Sequence, residues 1–138
     1  MKQEQIIKIQ LMEQEVNQLN QQLQLIEQEV NDMSELNKSL DEIEKEKEIF
    51  VNIGKKIYAF VEIKDNKLIV DVGKGNFVKK NISETKKIID NQIEKLMKGK
   101  DLILNRLEIL HEEMNNLINE IESEQIEGER REKSSNNN

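Results

Sequence analysis

Residues 48–82 read EIFVNIGKKIYAFVEIKDNKLIVDVGKGNFVKKNI, and this stretch decides the fold. Apolar and polar residues alternate with a period of two, as in strands buried on one face. Ile49, Val51 and Ile53 share a face of a first strand, and Ile57, Ala59, Val61 and Ile63 a face of a second. Leu68, Val70 and Val72 share a face of a third, and a weaker fourth runs from Asn76 to Asn81. The breaks hold Gly54, Asp65-Asn66 and Gly73-Lys74-Gly75, residue types that tolerate the positive φ of tight turns. Residues 48–81 are therefore predicted to form two β-hairpins. Four short strands have little to pack on, and unpaired edges invite association. The expectation is a sheet completed by other chains. The segment's many lysines suit exposed edges and turns, where they discourage unwanted pairing.

On either side the period changes to that of a coiled coil. Upstream, Ile9, Met12, Val16, Leu19, Leu23, Ile26, Val30 and Met33 alternate spacings of three and four. A helix is predicted over residues 4–47. Strict register then demands Asn37; Leu36, Leu40 and Ile43 carry the stripe on in a shifted phase, which predicts a local slip. Downstream, Ile89, Ile93, Leu96, Lys100, Ile103, Leu107, Leu110, Met114, Leu117 and Ile121 make a second heptad over a helix predicted at 82–124. Asn81 with Glu84 fits a capping box, and Ser83 is the competing N-cap. Gly99-Lys100 reads either as a local bend or as a tolerated surface defect. Equal stripes joined by a short β region should pair antiparallel, with Leu40 near Ile89 and Asp90, and Ile9 near Ile121. The predicted class is mainly α: one domain over residues 1–124, a long antiparallel two-helix coiled coil with two central hairpins. Residues 125–138, polar and rich in Asn and Ser with Gly128 as a stop, read as a disordered tail.

Composition limits what such a chain does. Of its 138 residues, 36% are hydrophobic and 36% charged, with no Pro and no Cys. A narrow buried seam suits that balance better than a thick core. A net charge of -7 argues against nucleic acid as a main partner. No apolar run reaches a transmembrane length and the first ten residues, MKQEQIIKIQ, lack a signal-peptide pattern, so a cytoplasmic protein without a membrane partner is the expectation.

Sites for chemistry are wanting. Gly73-Lys74-Gly75 is followed by a strand, not by the Lys-Ser/Thr and helix of a phosphate loop. The single histidine, His111, sits off the seam without the partners that a metal site or triad needs. The carboxylates lie on solvated helix faces, where nothing desolvates them for acid–base work. Neither an enzyme nor a cofactor or metal is expected. What remains is surface: Ile6, Ile7, Leu11, Ile118 and Ile126 are apolar beyond the seam near the chain ends. They read either as a docking surface or as a wider packing stripe.

Two stretches carry a family resemblance. Asp71-Val72-Gly73-Lys74-Gly75-Asn76-Phe77-Val78-Lys79-Lys80 resembles the third-to-fourth-strand segment of α-class prefoldin subunits, VGxGxxV followed by a basic residue. Phe50-Val51-Asn52-Ile53-Gly54 resembles their first-strand motif, which commonly has Pro where this chain has Asn52. The order helix, two hairpins, helix is similar too, and two hairpins argue against the one-hairpin β class. The resemblance implies hairpins joining an inter-subunit β-barrel with β-class subunits and a second α-class copy, as a heterohexamer. Assembly residues would be Phe50, Val51, Ile53, Ile57, Phe60, Val61, Ile69, Val70, Val72, Gly73, Gly75, Phe77 and Val78. It further implies an ATP-independent holdase whose helix tips bind non-native proteins and pass them to a group II chaperonin. Ile6, Ile7, Leu11, Met12, Ile118 and Ile121 would make the tip contacts. A self-assembling structural or filament scaffold is the alternative.

Overall fold

The computed structural model describes residues 2–136. The order is α1 (Lys2–Lys45), β1 (Glu48–Gly54), β2 (Ile57–Glu62), β3 (Lys67–Asp71), β4 (Phe77–Asn81) and α2 (Ile82–Asn136). The chain forms two compact units, Met1–Leu25 with Gly99–Asn138, and Ile26–Lys98.

The second of these holds the strands. β1 pairs antiparallel with β2, and β3 with β4, as two separate two-stranded sheets. Ile49 faces Val61 and Val51 faces Ala59; Leu68 faces Lys80 and Val70 faces Val78. The period-two reading thus holds for Ile49, Val51, Ala59, Leu68 and Val70, which are half-buried, whereas Ile53, Ile57 and Val72, beside the hairpin tips, are exposed. α1 ends at Lys45, two residues short of expectation, because the Lys47 carbonyl already accepts the Ile63 N–H at 2.8 Å as an extension of the first hairpin. Leu40 (3% exposed), Ile82 and Ile89 form the core of this unit, and Leu68 packs against them from the second hairpin. Burying a leucine so fully contributes about 1.5–3 kcal/mol.

α2 starts as the capping box predicts on its Asn81 side. The Glu84 N–H donates to Asn81 Oδ1 at 2.7 Å, and Thr85 Oγ1 donates to the Asn81 carbonyl at 2.9 Å.

The expected slip at Asn37 does not occur. Leu36 is exposed and Asn37 is half-buried, so the heptad runs unbroken from Met33 through Asn37 to Leu40. The amide is tolerated in the seam because its Nδ2 donates to Asp90 Oδ1 across the pair at 2.9 Å. The reverse arrangement lies close by: Lys86, on the α2 seam, forms an ion pair with Asp41 of α1. Leu40 and Ile89 pack between these two polar links.

In the other unit, residues 2–25 of α1 pair with 99–136 of α2. Leu107 and Leu110 are buried, and Ile9, Met12, Val16, Leu19, Leu23, Ile103, Met114, Leu117 and Ile121 are half-buried along the seam. Gln5 Nε2 donates to Glu120 at 3.4 Å, and Arg106 donates to both oxygens of Glu15, at 2.9 and 3.3 Å. Ile9 therefore lies at a level between Arg106 and Glu120, not opposite Ile121 as expected. The expected disordered tail is also corrected. α2 continues through Gly128 to Asn136, and residues 137 and 138 lie outside the described residues. Gln125–Lys133 is rich in Glu and Arg, good helix formers spaced for i,i+4 pairs such as Glu127 and Arg131, which offset one glycine. Gly99 and Lys100 are likewise inside the unbroken helix.

Candidate functional site: exposed hairpin faces and the chain-terminal helix ends

The hairpins leave much of their apolar surface uncovered. Phe50 stacks on Phe60 with ring centroids 4.0 Å apart and meets Tyr58 edge-on at 6.3 Å. The stack follows from the register, which sets Phe50 directly across from Phe60. Yet Phe60 is 71% exposed, and Phe50, Tyr58, Ile69 and Phe77 are also exposed. Ile53, Ile57 and Val72 are exposed too, Val61 and Val78 less so, and Val51 and Val70 are half-buried. Each sheet has two strands, so every strand keeps one unpaired edge.

Both hairpin tips use one device. The Asn52 carboxamide oxygen accepts the Gly54 N–H at 2.9 Å, and an Asp71 carboxylate oxygen accepts the Gly73 N–H at 2.9 Å. Gly54 and Gly73 have φ of 142° and 127°, a conformation that needs glycine. Left-handed residues follow: Lys55 and Lys56 in the first tip, Lys74 and Gly75 in the second. Asx-apolar-Gly-Lys therefore occurs twice, as Asn52–Lys55 and Asp71–Lys74. The Lys55-Lys56 turn was also missed, since neither residue is a usual left-handed one.

At the chain-terminal end of the other unit, Ile6, Ile7, Leu11, Ile118 and Ile126 are exposed. Met12 and Ile121 are half-buried in the seam, which separates them from the other four residues expected to bind there. Ile6 and Ile118 each follow a seam position, Gln5 and Leu117. In an antiparallel pair such positions come to the same side of the seam. Ile7 and Leu11 lie one turn apart on α1 and share a face.

Among the described residues no group of three or more His, Asp or Glu side chains is placed to hold a metal ion. His111 is exposed. The Glu15 carboxylate, by hydrogen bond and then by charge, holds the Arg106 guanidinium above its usual pKa.

The pattern of the prefoldin subunit family matches residues 12–127, most of the chain. The chain belongs to that family, whose members are chaperones that assemble as oligomers. Prefoldin subunit alpha of Archaeoglobus fulgidus is 24% identical over 110 residues, covering 77% of this chain and 80% of that protein. With its two hairpins, the chain is of the alpha class. A subunit of filamentous prefoldin from Methanocaldococcus jannaschii has the same fold, with a TM-score of 0.70 at 16% identity over 81% of this chain and 96% of that one. Ile6, Ile7 and Leu11 precede the matched span.

Proposed function

We propose that the chain is a subunit of an ATP-independent holdase in the cytoplasm. Its hairpins join those of one-hairpin β-class subunits and a second copy of this chain, in an inter-subunit barrel within a heterohexamer. Non-native proteins are held at the chain-terminal helix ends by Ile6, Ile7, Leu11 and Ile118, with Met12 and Ile121 behind them, and are delivered to a group II chaperonin. The observation that carries the reading is the uncovered aromatic face of the first hairpin. Phe50 and Phe60 at 64% and 71% exposure are far from what an isolated sheet tolerates in water. Weak contacts at each helix end gain avidity when several ends share one body.

The test has two parts. Light scattering on the chain alone, and with a one-hairpin prefoldin subunit added, should show small species that grow into a discrete hetero-oligomer. Large polymers of the chain alone would favour the scaffold alternative. The assembled particle should suppress aggregation of a denatured client, and a variant carrying Ile6→Ser, Ile7→Ser, Leu11→Ser and Ile118→Ser should lose most of that suppression. An unchanged variant sinks the assignment of the helix ends.

A further inference from the structure

The two hairpins are one module written twice. EIFVNIGK at 48–55 matches KLIVDVGK at 67–74 position by position, with Val, Gly and Lys shared and Asn52 answering to Asp71. Asn52 pairs with Tyr58 and Asp71 with Phe77, so the two turns span equal lengths of chain. Each turn is held by an Asx side-chain oxygen that accepts its glycine N–H at 2.9 Å. The half-buried strand residues correspond as well: Ile49 and Val51 in the first, Leu68 and Val70 in the second.

What differs is the charge on the outer faces. On the first hairpin, Glu48 and Glu62 oppose each other at the base, next to Phe50 and Phe60, and no lysine takes a paired position on that face. On the second, Lys67 stands where the first has Glu48, and Lys79 lies opposite Ile69, with Asp71 and Phe77 towards the tip. Lys79 has only a loose, exposed ion pair with Asp65 at 4.0 Å, and Asp71 is engaged by the Gly73 N–H. Ile69 and Phe77 are 69% and 66% exposed, so this face is as open as the aromatic one.

We propose that the outer face of the first hairpin is covered by the outer face of the second hairpin of another copy of this chain, base to base. The inference rests on the reading of the hairpins as an assembly surface and names which face meets which. Sheets packed about 10 Å apart bring Glu48 and Glu62 against Lys67 and Lys79, and Phe50 and Phe60 against Ile69 and Phe77. Charge decides against the other pairings. First on first gathers four glutamates, two from each copy, and second on second gathers four lysines in the same way. Tip to base sets the glutamates against Asp71. A two-fold axis makes the chosen contact twice and covers both faces of both copies. Every strand keeps its unpaired edge, which stays open to one-hairpin subunits.

Sedimentation velocity of the full-length chain alone, over a concentration series at low salt, tests it. The wild-type chain should reach the mass of two copies. Glu48→Lys with Glu62→Lys makes both faces basic, and Lys67→Glu with Lys79→Glu makes both acidic. Each variant should pair about ten-fold more weakly or worse, because several charge contacts change sign at once. Mixing the two variants, or combining all four substitutions in one chain, sets opposite charges together again and should restore the pair. Towards 1 M salt, where the screening length falls to about 3 Å, wild type and variants should converge. Circular dichroism at 222 nm checks that each variant is folded. Should a reversal unfold its hairpin, Glu48→Gln with Glu62→Gln removes charge without adding any and should still weaken pairing; unchanged pairing there overturns the inference. So does a wild-type chain that stays monomeric, a reversed variant that pairs as tightly as wild type, or helical variants that neither mixing nor the four-fold exchange rescues. In each of these cases a discrete particle formed by wild type with a one-hairpin prefoldin subunit leaves the holdase reading standing, and the absence of that particle removes it.

Discussion

Replacing Asn37 by leucine isolates what one amide does in an apolar seam. Its Nδ2 reaches Asp90, but its Oδ1 is buried without a partner. A buried unsatisfied acceptor costs about 1–3 kcal/mol, which offsets the roughly 1.5–3 kcal/mol that a hydrogen bond to a charged group returns, and a leucine in the seam adds apolar burial besides. Asp90 is exposed, so losing the amide leaves no stranded charge. Asn37→Leu should therefore raise the thermal midpoint, followed by circular dichroism at 222 nm at fixed concentration. A lower midpoint would mean that the Asp90 contact outweighs the orphaned oxygen. Leu40→Ala, by contrast, empties the best-covered position of the same seam. It should cost about 2–5 kcal/mol in the same melt, since a cavity adds to the lost transfer energy.

Among the elements, the hairpin tips make the clearest prediction. Gly73 has φ near +127° and open space around its missing Cβ, so only the backbone opposes a side chain there. Gly73→Ala should destabilise the second hairpin by about 1–3 kcal/mol. Lys55 and Lys56 show the converse, two non-glycine residues in the left-handed region. Lys55→Asn with Lys56→Gly gives the turn the residues it prefers and should stabilise the first hairpin. Amide hydrogen exchange of β1–β4 reads both changes, and no change in protection in either variant would show that the tips are not strained. Strand periods, helix periods and the Asn81 cap were legible because each is written in neighbouring residues. The place of Asn37 was not, because its justification is Asp90, distant in sequence and near in space. Nor was the helix beyond Glu124. Its Ser and Asn suggested a tail, while the helix-forming Glu and Arg between them carried more weight. The isoleucines were legible as off the seam but not as exposed, because a wider packing stripe fitted the same spacing; the seating of Met12 and Ile121 needed the register of the helix pair.

For the whole molecule, the distribution of charge and exposed aromatic surface bears on assembly. Residues 47–81 carry eight lysines and four carboxylates, in a chain whose net charge is -7. Two of those carboxylates, Glu48 and Glu62, face each other across the base of the first hairpin, on the face that bears Phe50 and Phe60. Like charges directly opposite are destabilising, so that face is poorly suited to stand alone in water. A double variant, Phe50→Glu with Phe60→Glu, extends the acidic row up the hairpin and removes its stacked rings. Both residues are outside the Leu40, Ile82 and Ile89 cluster, so the helical signal should be unchanged. If the first hairpin is a subunit interface, burying two new carboxylates there without partners is prohibitive, and the particle should fail to form. Sedimentation velocity with the one-hairpin partner present gives the answer. A variant that is helical and small supports assembly through this face, whereas one that still reaches the wild-type mass shows that the subunits join elsewhere.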